Sequence, residues 1–451
     1  MPPELSAGDT AWVLTSAALV LLMTPGLALF YGGMVRAKSV LNMMMMSFGA
    51  LALISILWVL YGYSMAFGDD QGAGLVGDPG QFLGLKGLMA EDSLVFSVPS
   101  MAFVAFQAVF AIITVALISG AIADRAKFSA WMVFAGIWAT IVYFPVAHWV
   151  FAFDGVTAGA ESAGGWIAND LKALDFAGGT AVHINAGAAG LALALVLGKR
   201  IGFGKDPMRP HNLTLVMLGA GLLWFGWFGF NAGSAVASNT IAAVAWVNTL
   251  AATAAASLAW LATERLRDGH PTSLGAASGV VAGLVAITPA ANSVSAVGAL
   301  AVGAVAGVLC ALAVGLKYKL GYDDSLDVVG VHLVGGLVGC ILIGLLATDT
   351  APAGVDGLLF GGGADQLWRQ AVAALAVGVF SFVVSYVLGT LIEKTMGFRI
   401  TEEDEVTGVD LTTHAETAYE LTGLTGGGFS PVRQSTPSRE SVSTGKRSVD
   451  A

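Results

Sequence analysis

Long stretches without Asp, Glu, Lys or Arg dominate the chain, and nine of them are separated only by short charged segments. A helix rises 1.5 Å per residue, so about 20 apolar residues are needed to cross a hydrocarbon layer about 30 Å thick. Seven stretches have room for one such helix each: Thr10–Val35, Ser39–Gly68, Ser93–Ala123, Phe128–Phe153, Phe176–Gly198, Val328–Thr348 and Gln370–Ile392. The other two are about twice as long. Pro210–Thr263 is interrupted by the polar, small-residue run Asn231–Thr240, and Gly269–Leu316 by Thr288–Ser293, so each predicts two helices. The pattern predicts an all-α integral membrane fold with eleven spanning helices. Runs this long, without strict alternation, exclude a β-barrel.

The charges between the runs orient the helices, because cytoplasmic loops collect Lys and Arg. With the N-terminus outside, the inner loops hold Arg36, Lys38, Arg125, Lys127, Lys199, Arg200, Lys205, Arg209, Arg265, Arg267, Lys317 and Lys319. The outer loops then hold only Lys86, Lys172 and Arg369, and are rich in Asp and Glu. An odd number of spans puts the C-terminus inside. Three parts follow: a membrane domain over 1–392, a charged cytoplasmic tail over 393–424, and a Gly/Ser/Thr/Pro-rich extension over 425–451 that reads as disordered. The first apolar run lacks a basic leader and is expected to be retained.

Composition agrees with this picture and narrows it. The chain is 56% hydrophobic and 12% charged, about half the charged share of a soluble domain. Its 59 glycines suit helices that pack closely in lipid. The net charge of −10 has no basic patch behind it, so no nucleic-acid partner is expected. Cys310 and Cys340 lie in apolar runs and imply no disulfide framework.

Two matching segments carry the candidate chemistry. Asp175-Phe-Ala-Gly-Gly-Thr-Ala-Val-His183 opens the fifth span, and Asp324-Ser-Leu-Asp-Val-Val-Gly-Val-His332 opens the tenth. Each places a histidine eight residues after an aspartate, with Val immediately before it. The two spans run in opposite senses in the predicted topology, so eight residues, about 12 Å of helix, bring both histidines near the midplane. A 5+5 inverted-topology repeat is thus predicted, with its site at the repeat interface. A lone intramembrane histidine is ordinarily a hydrogen-bonded packing residue. A symmetric pair of ionisable groups at that depth points instead to a polar pathway. Two histidines without a third ligand make a poor zinc site, so neither metal nor cofactor is expected. His148 reads as a hydrogen-bonded structural residue, whereas His211, His270 and His414 fall in loops or tail and read as solvated. The Asp175 carboxylate also suits an N-terminal helix cap.

These segments, with Phe30-Tyr-Gly-Gly-Met-Val-Arg-Ala-Lys38, Trp227-Phe-Gly-Phe-Asn-Ala-Gly-Ser234 and Gly408–Glu420, resemble the ammonium transporter (Amt/Mep/Rh) family. Retention of both histidines is similar to the bacterial Amt type. The resemblance implies a plasma (inner) membrane homotrimer, each subunit with its own pore for ammonium or ammonia, surrounded by membrane lipid and carrying no enzyme activity. It implies that Ser234 and Trp227 belong to an outer recruitment site, with Asp175 supporting cation entry. Phe110 and Phe230 would form the outer and inner halves of a phenyl gate. His183 and His332 would line the pore below it, with Asp324 as the repeat partner of Asp175. Where the family usually has a second recruiting Trp, this chain has Phe151, a weaker π face. The tail implies a cytoplasmic partner of the PII signalling type. Two other readings remain open: an ammonium sensor of the same fold, and an intramembrane histidine enzyme. The latter lacks any Ser–His–Asp, HExxH or Cys-rich constellation.

Overall fold

The computed structural model describes residues 4–157 and 163–419. The predicted disordered extension lies outside the described residues. Eleven helices are long and apolar enough to span a membrane: Ala7–Met34, Val40–Phe67, Ser100–Ile122, Phe128–Phe151, Gly179–Leu197, Leu213–Gly233, Thr240–Asp268, Ser273–Ala290, Ala296–Leu320, Val329–Leu346 and Asp365–Met396. They are called the first to eleventh helices below. Both predicted breaks fall where expected, at 234–239 and 291–295.

Helix ends follow local chemistry rather than the charge-free windows. Ser6, Asn212, Asn239, Thr272 and Ser295 each accept a backbone N–H from the first turn of the helix that follows, satisfying donors the helix itself cannot pair. The third helix starts seven residues later than predicted, because Leu94–Val95 and Val98–Pro99 form a small antiparallel hairpin first. The eleventh helix overruns its apolar window at both ends. Terminal turns can carry charge outside the hydrocarbon region, so a charge-free window reports the buried middle of a helix.

Small residues let helix backbones touch. A Cβ on Gly219 of the sixth helix would lie 2.4 Å from Phe30 N of the first helix, and one on Gly33 would lie 2.8 Å from Val216 N. The fifth and tenth helices cross reciprocally. A Cβ on Gly187 would meet Leu333 N at 2.5 Å, and one on Gly336 would meet Ile184 Cγ1 at 2.9 Å. Each glycine lies four residues after its own histidine and contacts the residue following the other histidine.

One end of the bundle is bound by buried ions. Arg200 forks onto Asp323 at 2.8 and 2.9 Å and reaches Asp124 at 3.3 Å, while Arg36 meets Asp124 at 2.9 Å. Arg125, fully buried, donates to Ser325 Oγ at 2.6 Å and to Asp323 O at 2.5 Å. Burial alone would raise the Asp323 carboxyl, but the Arg200 and Arg125 guanidiniums hold it below its usual value. The tail joins this end through Glu405, which accepts from Arg399 at 2.9 Å and from Ile201 N at 2.8 Å. Asp410 accepts Leu41 N and Asn42 N at the start of the second helix. His414 is docked rather than solvated, with Nε2 3.0 Å from Asn42 Oδ1 and its ring edge-on to Phe128. His211 also differs from expectation: it is partly buried, 2.9 Å from Val35 O.

Candidate functional site

Two polar starts and two apolar walls build the site. The fifth helix is preceded by Asp175, whose carboxylate accepts Gly178 N at 2.8 Å, Gly179 N at 2.6 Å, Thr180 N at 2.8 Å and Ala181 N at 3.2 Å, and also the Thr180 hydroxyl. Burial raises this carboxyl above its ordinary range, and the Thr180 and backbone donors pull it back down. Asp324 repeats the device before the tenth helix, accepting Val328 N at 3.1 Å and Val329 N at 2.7 Å. Its carboxyl is raised too, by burial first, with Lys317 opposing. Both aspartates are therefore helix caps. Gly178 permits the turn before the fifth helix, where φ is +112°, a conformation that would strain a side chain.

Each cap leads into a widened helical turn that carries the histidine. His183 N–H donates to Gly178 O, five residues back, and Val334 N–H closes the matching turn on Val329 O. Such five-residue turns rotate a side chain off the regular helical face and cluster at functional sites. The two imidazoles meet with Nδ1 atoms 3.3 Å apart, ring centroids 5.3 Å apart and planes inclined by 20°. Both are buried, and His183 Nε2 has no protein partner. Between two neutral imidazoles, one Nδ1 donates and the other accepts. One ring then presents a bare Nε2 and the other an Nε2–H.

A vestibule of about 300 Å³ opens at the end of the bundle opposite the ion network, lined by Phe103, Gln107, Phe110, Phe151, Asp175 and Ser234 among others. Ser234 Oγ donates to Phe230 O at 2.8 Å, so the hydroxyl's remaining lone pairs are free to accept. The floor is Phe110, stacked on Phe230 with centroids 4.1 Å apart and planes inclined by 26°. Beyond that pair lies a cavity of about 10 Å³, walled by Ile113, Leu117, Trp227, Phe230, His183 and His332. Space of that size holds about one water-sized molecule.

The structure brings together most of the residues singled out from sequence and relocates one. Phe110, Phe151, Asp175 and Ser234 share the vestibule. Trp227 does not line it. The indole lies in the inner cavity, 5.3 Å from His183 with planes inclined by 18°. Seven residues separate Trp227 from Ser234, about 10 Å along a helix, which is too far for both to serve one mouth. Phe103 and Gln107 were not singled out. They stand two turns and one turn before Phe110, respectively, and that spacing on one helical face could have shown them. His148 has the structural role expected, with Nδ1 3.0 Å from Ala66 O and Nε2 3.4 Å from Asp70. Among the described residues, no cluster of three or more His, Cys, Asp or Glu could hold a metal ion.

A family model described as the Ammonium Transporter Family matches residues 11–419. A Mycobacterium bovis protein described as an ammonium transporter is 61% identical over 94% of this chain and 92% of its own. The solved structure of Saccharomyces cerevisiae Mep2 superposes with a TM-score of 0.78 at 35% identity, covering 88% of this chain and 91% of that one. A structure described as a sensor Amt protein superposes with a TM-score of 0.81 at 27% identity, covering 90% and 98%.

Proposed function

Since the chain belongs to the ammonium transporter family, we propose that it gathers ammonium in the vestibule, strips its proton there, and conducts ammonia past the two histidines. The observation that carries this reading is the contrast between the two cavities. The vestibule has room for a partly hydrated cation and offers it the Phe110 and Phe151 rings, the Ser234 lone pairs and the nearby Asp175 charge. The inner cavity, at about 10 Å³, has no room for a hydration shell. A bare cation entering it would lose solvation worth many kcal/mol with nothing equivalent in return. Ammonium escapes that cost by deprotonation and potassium has no such route, so selectivity follows from chemistry rather than from size.

The histidine pair suits a neutral passenger. Ammonia donates three hydrogens and accepts one, and the pair offers both a bare nitrogen and an N–H. Asp175 acts through space in this reading, because its oxygens already receive the first-turn donors. The proton released in the vestibule travels separately along the histidines.

Reconstitution into liposomes tests this. Ammonium gradients should drive current through the native chain and not through the double variant His183→Ala, His332→Ala. A native protein that passes neither current nor ammonia would overturn the transport reading. A double variant that keeps native ammonium-driven current while rejecting potassium would overturn the selectivity route.

The remaining assignments belong to the same proposal. The N-terminus lies outside and the ion-bound end faces the cytoplasm, in line with the Lys and Arg distribution. The reciprocal Gly187–Leu333 and Gly336–Ile184 contacts support a 5+5 inverted repeat. The protein works as a plasma-membrane homotrimer, and the tail offers a PII-type protein a docked cytoplasmic surface. In intact cells an impermeant thiol reagent should label Glu4→Cys and leave Thr401→Cys unlabelled. Labelling of both, or only of the second, refutes the orientation. The sensor reading is second, resting on the 27% identical sensor Amt structure; the 61% identical ammonium transporter favours transport.

A further inference from the structure

Thr288 stands at the end of the eighth helix, at the break that divides the apolar stretch Gly269–Leu316 into two spans. It is fully buried. Its hydroxyl donates to Leu284 O at 2.7 Å, one turn back, and accepts the Trp227 indole N–H at 2.8 Å. That indole lies parallel to His183 and forms part of the wall of the narrow cavity. Its ring contacts with His183, stacked at 18°, and with Phe230, tilted at 43°, carry no hydrogen bond and permit sliding and tilting. The bond to Thr288 has direction: a linear N–H···O fixes the rotation of the ring about its attachment.

Thr288 is itself held in register with the fifth helix. Pro289, next in the chain, accepts Phe176 N at 3.2 Å through its carbonyl. Its ring packs so tightly on the fifth helix that a Cβ on Gly179 would lie 2.4 Å from Pro289 Cγ. The segment that orients the indole therefore also clamps the helix start four residues before His183. In a cavity with room for about one water-sized molecule, a rotated indole decides whether there is a passage.

We propose that Thr288 is a positioning residue for conduction, holding the Trp227 ring flat against His183 so that the lumen between the phenyl pair and the histidines stays open. This rests on the transport reading above, and the experiment separates the two: native protein without ammonium flux fails that reading, whereas native flux with an indifferent Thr288 fails this one.

Proteoliposome flux is measured for native protein, Thr288→Val, Thr288→Ser, Trp227→Phe and the Val/Phe double variant, with the oligomer checked by size-exclusion chromatography. Losing one directional hydrogen bond while keeping the side-chain shape should lower flux roughly three- to tenfold in Thr288→Val. Thr288→Ser, which keeps the hydroxyl, should restore it. In the Trp227→Phe background the Val change should have no further effect, since no indole N–H remains to hold. Native flux in Thr288→Val, or an equal additional loss in the Trp227→Phe background, overturns the proposal. Should Thr288→Val not assemble, Thr288→Ala and Thr288→Ser carry the same comparison.

Discussion

Replacing Gly187 with alanine tests whether the histidine spacing is set by backbone contact. The new Cβ would lie 2.5 Å from Leu333 N and 2.7 Å from Leu333 Cα. Ordinary contact begins at 3.4 Å, so the fifth and tenth helices must part by about 1 Å where His332 adjoins Leu333. The obstructing atoms are backbone and cannot swing aside. A shift of that size would stretch the 3.3 Å Nδ1–Nδ1 contact beyond hydrogen-bond range. Overpacking of this kind costs about 1–3 kcal/mol. Gly336→Ala is the milder partner, because its nearest obstacle, Ile184 Cγ1, lies at 2.9 Å and its backbone obstacles, Gly179 O and Ile184 N, lie at 3.1 and 3.2 Å, so each must give by only a few tenths of an ångström. Gly221→Ala is the control, with nothing within 4 Å of its Cβ. Ammonium-driven current and melting temperature in detergent should both fall in the order Gly221→Ala, Gly336→Ala, Gly187→Ala, with the first near native. A Gly187→Ala protein that conducts and melts like the native one refutes the claim that backbone contact sets the histidine pair.

Three further outcomes are expected. Phe151→Trp, which enlarges the π face beside Ser234 in the vestibule, should lower the half-saturating ammonium concentration, and an unchanged or higher value would remove Phe151 from recruitment. Asp323→Asn leaves Arg200 buried with half its partner lost and should cost about 3–5 kcal/mol at neutral pH. The Asp323 carboxyl is held low, so its stabilisation is present above the unfolded carboxylate value of about 3.9 and is lost as pH falls through the folded value below that. Melting curves of native and Asp323→Asn protein should converge only in that acidic range, and convergence near pH 6 would contradict the assignment. Phe110→Ala removes the vestibule floor and should cost about 3–5 kcal/mol of stability while still rejecting potassium, because the narrow cavity below is not lined by this ring; potassium current through the variant would show that the phenyl pair, rather than the cavity, excludes the cation.

The span count and both breaks were legible because lipid imposes a length and a charge rule on every crossing segment. The Asp-to-His spacing was legible as well, and the structure adds what it implies locally: a cap, then a widened turn, then the imidazole. The place of Trp227 was also within reach, since its distance from Ser234 along one helix separates the two. What the sequence concealed lies in contacts between distant segments. Arg125, Arg200, Asp124 and Asp323 look like ordinary loop charges until the fold buries them together. His414 lies 372 residues from Asn42, the residue it contacts. The His-x-x-x-Gly step after each histidine was visible, but its meaning depends on the other helix arriving at that point.

The cavity between the phenyl pair and the histidines also has an electrical consequence. With room for about one water-sized molecule, it cannot hold a continuous column of water from one side of the bundle to the other. A column of that kind would leak protons and short the membrane. On the proposed transport reading, that interruption would let a membrane crowded with this protein keep its voltage, since only charge relayed by the two imidazoles would cross it.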